Sequence, residues 1–283
     1  MLTRRSFIRS VSLGAAGSTG FAGYGLAGAL DLPGLQHTTL ELPQLPPEWD
    51  GLTIAQISDV HAGPYMPAER MARVARMVGN LDPDLVVFTG DQMDRRPSDA
   101  DRFVQGFAGI SAPLGVFGIL GNHDHYFDPR LSERALVEAG ITPLVNQGRV
   151  LRRGASELAL IGLEDVNAGS GRAPDFSVLG RYPNAFRLCL SHQPRTWHAT
   201  VAAGAHLTLA GHTHGGQIAL NQRNLNVARF QSRYIAGPYR RAEATLYVSR
   251  GIGVGAVPLR FGAPPEIDIL VLRSKAAKGR LAA

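Results

Sequence analysis

Five times along the chain a short, nearly continuous apolar run ends in a cluster of Asp, His, Asn, Ser and Gly. Leu52 to Ile57 leads into Asp59, and Leu85-Val86-Val87-Phe88 leads into Gly90-Asp91. Val116 to Leu120 leads into Gly121-Asn122-His123-Asp124, Leu188-Cys189-Leu190 into Ser191-His192, and Leu207-Thr208-Leu209-Ala210 into Gly211-His212-Thr213-His214. Each unit reads as a buried strand followed by a polar loop. Between them lie helical periodicities: Met71, Val74 and Val78 after Pro67; Phe103, Phe107 and Ile110; and a short segment from Ser132 to Ala139 closed by Gly140. Strands alternating with helices predict α/β layers. Ligands in such sheets gather at the carboxyl ends of strands, so the five polar clusters are expected to converge on one edge. Further strand-like runs, Glu157 to Leu163, Ala244 to Ser249 and Glu266 to Leu272, predict a second sheet facing the first.

The flanks differ from this body. Thr3-Arg4-Arg5-Ser6-Phe7-Ile8-Arg9 precedes an uncharged Gly/Ala/Ser-rich stretch from Ser10 to Leu30. That is the charged start and mildly apolar run of an export signal. The paired arginines make it resemble a twin-arginine signal, which implies the twin-arginine export machinery as a partner and a site of work in the periplasm or on the outer face of the cytoplasmic membrane. Residues 1–30 are therefore assigned to a signal or an uncleaved membrane anchor. Residues 31–50, with Pro33, Pro43, Pro46 and Pro47, are assigned to an extended Pro-rich linker, 51–272 to one catalytic domain, and 273–283 to a basic tail. The tail raises the prospect of membrane or cell-envelope association.

Composition narrows the class. With 283 residues, 45% hydrophobic and 18% charged, the chain can bury a sizeable core. Its net charge of +6 invites a nucleic-acid reading, but seven basic residues sit in the two acid-free ends. Without them the body is close to neutral, which indicates no nucleic-acid surface. Cys189 is the only cysteine, so no intrachain disulfide forms, and it reads as a small buried hydrophobe.

The polar clusters carry donor chemistry. Asp59 and His61 alternate on what reads as an extended segment and can hold one ion together, as can His212 and His214. A carboxylate with a spare oxygen can bridge two ions about 3.5–4 Å apart, and Asp91 is the candidate, with Asn122 and His192 completing the second ion. Oxygen and nitrogen donors without thiolate suit two divalent ions such as Mn, Fe, Zn or Mg. Asp-x-His, Gly-Asp-x-x-Asp-Arg, Gly-Asn-His-Asp, a lone His and Gly-His-x-His, in this order, resemble the calcineurin-like metallophosphoesterase superfamily across roughly residues 50–272. The resemblance implies a four-layer α/β/β/α sandwich of two facing mixed sheets. It assigns Asp59, His61, Asp91 and His214 to a first ion, and Asp91, Asn122, His192 and His212 to a second.

The same resemblance implies a phosphoester substrate attacked by metal-activated hydroxide. His123 would protonate the departing oxygen, oriented by Asp94, and Arg95 could meet a phosphate oxygen. Asp124, His125 and Tyr126 stand behind these as supporting candidates, with His125 read as a loop polar. Gly211 to Gln217, Val248-Ser249-Arg250-Gly251 and Pro264-Pro265-Glu266-Ile267 are similar to a bacterial branch of small exported phosphodiesterases. The expected function is phosphodiester or phosphomonoester hydrolysis on an envelope, phospholipid-derived or nucleotide substrate. Two alternatives are a membrane-anchored pyrophosphatase acting on a nucleotide-linked lipid A precursor, and a metal-containing envelope-binding protein with vestigial activity. Glu164 to Tyr182 and Leu220 to Arg241 are candidate rim loops.

Overall fold

A computed structural model describes Gly28 and residues 30–169, 171–221, 225–226, 228, 232–255 and 257–275. Two six-stranded sheets dominate it. The first runs, in spatial order, β1 (Gly34–Leu42), β14 (Glu266–Ser274), β2 (Thr53–Ile57), β3 (Leu85–Thr89), β4 (Val116–Ile119) and β5 (Thr142–Pro143). The second runs β12 (Gly237–Arg241), β13 (Ala244–Val248), β9 (Leu207–Ala210), β8 (Phe186–Leu190), β7 (Ser156–Gly162) and β6 (Gln147–Arg153). A separate ribbon pairs β10 (Ala219–Asn221) with β11 (Leu225–Asn226). Strands β2 to β5 are mutually parallel, as are β7, β8, β9 and β13. Antiparallel pairs join β14 to β2, β6 to β7 and β12 to β13.

The layers follow from which face each side chain takes. Ile54, Leu85, Val87, Ile119 and Leu270 of the first sheet meet Leu158, Leu160, Leu188, Leu207 and Leu209 of the second in one buried cluster. The alternate residues Ala55, Ile57, Val86 and Phe88 point outward, against Met71, Val74 and Val78 of α1 (Ala68–Gly79) and Phe103 and Phe107 of α2 (Asp99–Phe107). Strands covered on both faces must be apolar throughout, and this is why these runs are continuous rather than alternating. Helix α3 (Pro129–Glu138) joins the same layer through Ala135 and Leu136. Its start is fixed by Pro129 and by the Asp128 carboxylate, which accepts from Arg130 N at 2.9 Å. Helices α1 and α2 approach closely because Gly106 has no side chain; a Cβ there would lie 2.4 Å from Met71 Cβ. The opposite outer layer is thin. It consists of α4 (Trp197–Ala202) and the 3-10 segment Phe176–Arg181, over Ala159, Ile161 and the buried Cys189.

Two boundaries differ from expectation. Residues 34–42, assigned to a linker, form β1, which pairs in parallel with β14 from Gly34 opposite Glu266 to Leu42 opposite Ser274. Its prolines flank the strand instead of interrupting it. Only Leu40 and Leu42 are buried, so an edge strand shows little hydrophobic signal. At the other end β14 continues through Arg273 and Ser274. Ser274 N donates to Asp50 Oδ1 at 2.7 Å, and Arg273 pairs with Asp50 Oδ2 at 3.1 Å, so Arg273 belongs to the last strand. The signal-like stretch up to residue 27 and the tail from 276 lie outside the described residues. Among the described residues no helix is long and apolar enough to cross a membrane.

Candidate metal centre

The turns that follow β2, β3, β4, β8 and β9 meet at one edge where the two sheets come together. Backbone bonds tie neighbouring turns within each sheet: Asp59 N to Gly90 O at 3.0 Å, His61 N to Asp91 O at 3.0 Å, and Gly211 N to His192 O at 2.9 Å. Side chains tie one sheet to the other. Asp59 accepts from His212 N at 3.0 Å, Gln56 Nε2 donates to Ala210 O at 2.9 Å, and His192 Nδ1 donates to Thr89 O at 2.8 Å.

The backbone in these turns is unusual. Asp59, His61, Asp91, His212 and His214 all take left-handed conformations, with φ of 51°, 48°, 55°, 70° and 51°. The Asp59-Val60-His61 and His212-Thr213-His214 segments are therefore not extended, as alternation had suggested. Their side chains reach one place because each chain turns sharply there. Non-glycine residues hold such angles only where the surroundings over-determine them, and such positions concentrate at functional sites. Glycines at 121 and 211 leave the necessary room. A Cβ on Gly121 would lie 2.3 Å from Asp91 Oδ1, and one on Gly211 would lie 2.3 Å from Asp59 Oδ2.

Donor atoms gather in three groups, two outer ones linked by a third made of His61, Asp91 and His123. Asp59, His61 and His214 each bring a ligand atom within 4.8 Å of the others, and so do Asp91, His192 and His212. Asp91 lies between them, its Oδ2 3.6 Å from His61 Nε2 and 3.3 Å from His192 Nε2. His61 Nε2 faces His214 Nε2 at 3.0 Å, and His212 Nδ1 faces His192 Nε2 at 3.3 Å. Asn122 Oδ1 is buried with no hydrogen-bond partner. Buried lone pairs aimed at one another, two carboxylates and an orphaned amide oxygen form a set that a pair of divalent cations satisfies. The bond from His192 Nδ1 to Thr89 O fixes the tautomer and leaves Nε2 as the ligand atom.

The titration behaviour fits. Burial lowers His61 to about 3 and His212 to about 4, and burial with the Arg260 charge holds His214 well below its ordinary value, so these imidazoles are neutral donors. For Asp91, burial pushes upward, but His192 and His61 outweigh it and keep the carboxyl ionised. His192 is the exception: burial lowers it, yet Asp91 beside it raises it above its ordinary value. A proton there occupies the position that a cation between the two would take.

His123 stands beside this cluster. Its Nδ1 lies 3.0 Å from the Asp94 carbonyl oxygen and 3.6 Å from Asp94 Oδ1, so the main chain of Asp94 orients the ring more closely than its carboxylate does. With Nδ1 held as the donor, Nε2 is the free ring nitrogen. Burial lowers the His123 pKa, but Asp94 and Asp91 outweigh it and raise it, which favours a proton donor. Arg95 is 59% exposed, its Nε 3.7 Å from Asp94 Oδ1, and it does not line the cavity over the cluster.

Three residues support the site: Asp124, expected to do so from its motif, and Arg260 and Gln217, whose roles were not anticipated. Asp124 is buried and accepts from Gly121 N at 2.8 Å, Gln92 N at 3.1 Å and Met93 N at 3.1 Å, stapling the Asp91 turn to the Asn122 turn. Buried Arg260 donates to the carbonyls of Gly251 at 3.0 Å and Ala263 at 3.0 Å, and its Nη2 lies 3.2 Å from His214 Nδ1. Gln217 sits at φ 51° and braces the 255–259 loop, accepting from Gly255 N at 2.7 Å and donating to Val257 O at 2.9 Å. His125, read as a loop polar, is instead a buried partner of Glu164 at 2.9 Å. His206 bonds to the Arg187 main chain and His198 to Tyr234, away from the cluster.

A sandwich of two mixed sheets with paired donor groups at their carboxyl edge defines a metal-dependent phosphoesterase. The calcineurin-like phosphoesterase pattern matches residues 52–216, and the chain belongs to that family. It is 31% identical to the uncharacterized metallophosphoesterase YkuE of Bacillus subtilis, over 96% of this chain and 98% of that one. It is 28% identical to the phosphodiesterase YaeI of Escherichia coli, over 96% and 100%. It is also 33% identical to a bovine transmembrane protein with a metallophosphoesterase domain, of which it spans 59%. Among solved structures the sulfate thiohydrolase SoxB of Thermus thermophilus shares the fold, with a TM-score of 0.50 at 15% identity, covering 84% of this chain and 60% of that one. The enzyme is thus a hydrolase with a site suited to two divalent ions.

Proposed function

We propose that the enzyme hydrolyses phosphodiesters, with Asp59, His61, Asp91 and His214 holding one ion and Asp91, Asn122, His192 and His212 the other. The observation that carries the diester preference is the lining of the cavity over the cluster, about 300 Å³. Beyond the metal-site residues and His123 its described walls are Ile218, Ala228, Val257, two glycines, Gly216 and Gly255, and the polar but neutral Thr213 and Gln217, with no Lys or Arg among the described residues. A monoester dianion asks for cations beyond the two ions, whereas a diester carries one charge and an organic group on each side. The similarity along its full length to the phosphodiesterase YaeI of Escherichia coli supports the same preference.

When bound, the two ions supply a hydroxide at neutral pH and neutralise the phosphoryl oxygens. His123 lines the cavity and its free Nε2 holds the proton for the departing oxygen, while Asp94 fixes the ring. Metal-loaded full-length enzyme should turn over bis(p-nitrophenyl) phosphate with a higher kcat/KM than p-nitrophenyl phosphate; the reverse order would sink the reading.

Export is the second part of the proposal. The Arg4-Arg5 segment and the uncharged run that follows support delivery outside the cytoplasm, towards an envelope, phospholipid-derived or nucleotide diester. A tagged full-length chain should fractionate with the periplasm or membrane, and replacing both arginines with lysine should leave it in the cytoplasm.

A further inference from the structure

The imidazole of His212 borders two cavities of opposite character. On one side is the cavity of about 300 Å³ that contains His123 and the apolar Ile218, Ala228 and Val257. On the other is a cavity of about 350 Å³ lined by Asn167, Gln193, Pro194, Arg195, His212 and Ser232. A larger cavity of about 420 Å³, near Leu32, Arg250 and Glu266, contains none of the clustered donors.

We propose that the substrate is an unsymmetrical phosphodiester, its apolar leaving arm in the His123 cavity and its retained arm carrying a second anionic group against Arg195. This rests on the diesterase reading above and names the substrate class for the same site.

Arg195 differs from three arginines of the second sheet and its loops that are neutralised by carboxylates. Arg152 pairs with Glu157 at 2.6 Å, Arg172 with Glu133 at 2.6 Å, and Arg153 with Asp84 at 3.2 Å. Arg195 has no carboxylate partner among the described residues. Its Nη2 donates to Asn167 Oδ1 at 2.7 Å, which leaves most of its donor fork available. The arginine is nevertheless held in place. Buried Asp165 accepts from Asn167 N at 2.7 Å and from Gln193 Nε2 at 2.9 Å, so one carboxylate spends its lone pairs fixing both neutral partners of the pocket.

The two cavities then divide the two ester arms. His123 borders only the apolar cavity, so the oxygen it can protonate belongs to the arm lying there. Water adds its oxygen to phosphorus, the bond from phosphorus to the apolar arm breaks, His123 gives its proton to that oxygen so that the arm leaves as the alcohol, and a proton from the attacking water restores His123. The anionic arm stays on the monoester product.

Three p-nitrophenyl diesters test this with the metal-loaded full-length enzyme, the second arm being 2-carboxyethyl, propyl or choline. The aryl group occupies the apolar cavity and leaves in each case, so only the Arg195 side varies. Wild type should prefer the carboxyethyl ester to the propyl ester in kcat/KM by about fivefold, the scale of one partly exposed ion pair. Arg195→Ala should bring that ratio to about one, Arg195→Lys should restore part of it, and Arg195→Glu should favour the choline ester. The ratio is internal to each protein, so a general loss of activity does not mimic the effect. A wild-type ratio near one, or a preference that survives Arg195→Ala, overturns the subsite and leaves the diesterase reading standing. Failure to cleave all three esters, with p-nitrophenyl phosphate still hydrolysed, overturns both.

Discussion

The space between the sheets and the edge where they meet are built from the same strands, yet they obey opposite rules. Between the sheets, Ile54, Val87, Leu188 and Leu209 occupy regular strand positions and are fully buried. Two residues beyond the ends of β2, β3 and β9, Asp59, Asp91 and His212 sit in left-handed conformations beside carboxylates and imidazoles that face one another. Each such backbone position costs roughly 1–3 kcal/mol and persists because the surrounding bonds over-determine it. The apolar layer supplies the stability that lets the edge carry strain. Substitutions in the two regions should therefore fail in different ways.

Asp91→Asn should give the largest loss. Asp91 lies between the two outer donor groups, its Oδ2 3.6 Å from His61 Nε2 and 3.3 Å from His192 Nε2, and an amide is a far weaker bridge between cations than a carboxylate. The drop in kcat/KM should exceed the roughly 10–100-fold typical of residues that merely support a metal ligand. Metal content should fall from two ions per chain towards one, with the thermal midpoint little changed. Retention of two ions with near-normal turnover would remove Asp91 from the bridge.

His123→Ala comes next and separates chemistry from metal binding. General acid catalysis contributes about 10²–10⁴-fold where the leaving group needs a proton. The loss should reach that range on alkyl diesters, be about tenfold or less on p-nitrophenyl esters, and leave the bound metal intact. Equal losses on both substrate types would count against the acid role.

A crossed pair tests the contrast itself. Gly121→Ala places a Cβ against Asp91 Oδ1 and should cost about 10–100-fold in kcat/KM, since it displaces the Asp91 carboxylate from the donor cluster without touching the core. Leu188→Ala should lower unfolding stability by about 2–5 kcal/mol and leave kcat/KM of the folded enzyme within about twofold. Denaturant unfolding and steady-state kinetics on both proteins decide it. If Gly121→Ala mainly destabilised and Leu188→Ala mainly inactivated, the division of labour would be wrong.

The same contrast explains what could be read from the sequence. Strands β2, β3, β4, β8 and β9 are covered on both sides, so their apolar runs stand out, and the ligand candidates directly follow them. Strands β1, β6 and β12 form edges with exposed faces, and their mixed residues resemble linkers and loops. The identities of the clustered Asp, His and Asn residues were legible, but their geometry was not. Alternation implied extended segments where the chain turns left-handed at Asp59, His61, His212 and His214. Supporting residues were harder still. Asp124 staples two turns from 32 residues away and Arg260 reaches carbonyls on another loop, and neither link leaves a local pattern. Arg95 shows the reverse, a motif arginine that the fold leaves at the surface.

The smallest effect should come from Gln217, where backbone and side chain pull in opposite directions. Its φ of 51° is unfavourable for a residue with a Cβ, so Gln217→Gly relieves about 1 kcal/mol of strain in the folded chain while adding freedom to the unfolded one. The same change removes the amide that holds Gly255, Val257 and Leu259 together. These residues, unlike Asp91, belong to none of the donor groups, so metal content and kcat should stay close to wild type. Val257 forms part of the apolar wall beside His123, and a looser wall should raise KM for esters with an apolar leaving arm by about two- to fivefold. Gln217→Asn is the informative companion: asparagine keeps a Cβ and an amide in the same tight turn, at φ 51° and ψ −46°, but is one methylene too short to bridge both sides of the loop. If Gln217→Asn raised KM as Gln217→Gly does, the brace would be the reason for glutamine here. If only Gln217→Gly did so, the conformation of the turn would matter instead, and the strain at position 217 would belong to the metal edge rather than to its rim.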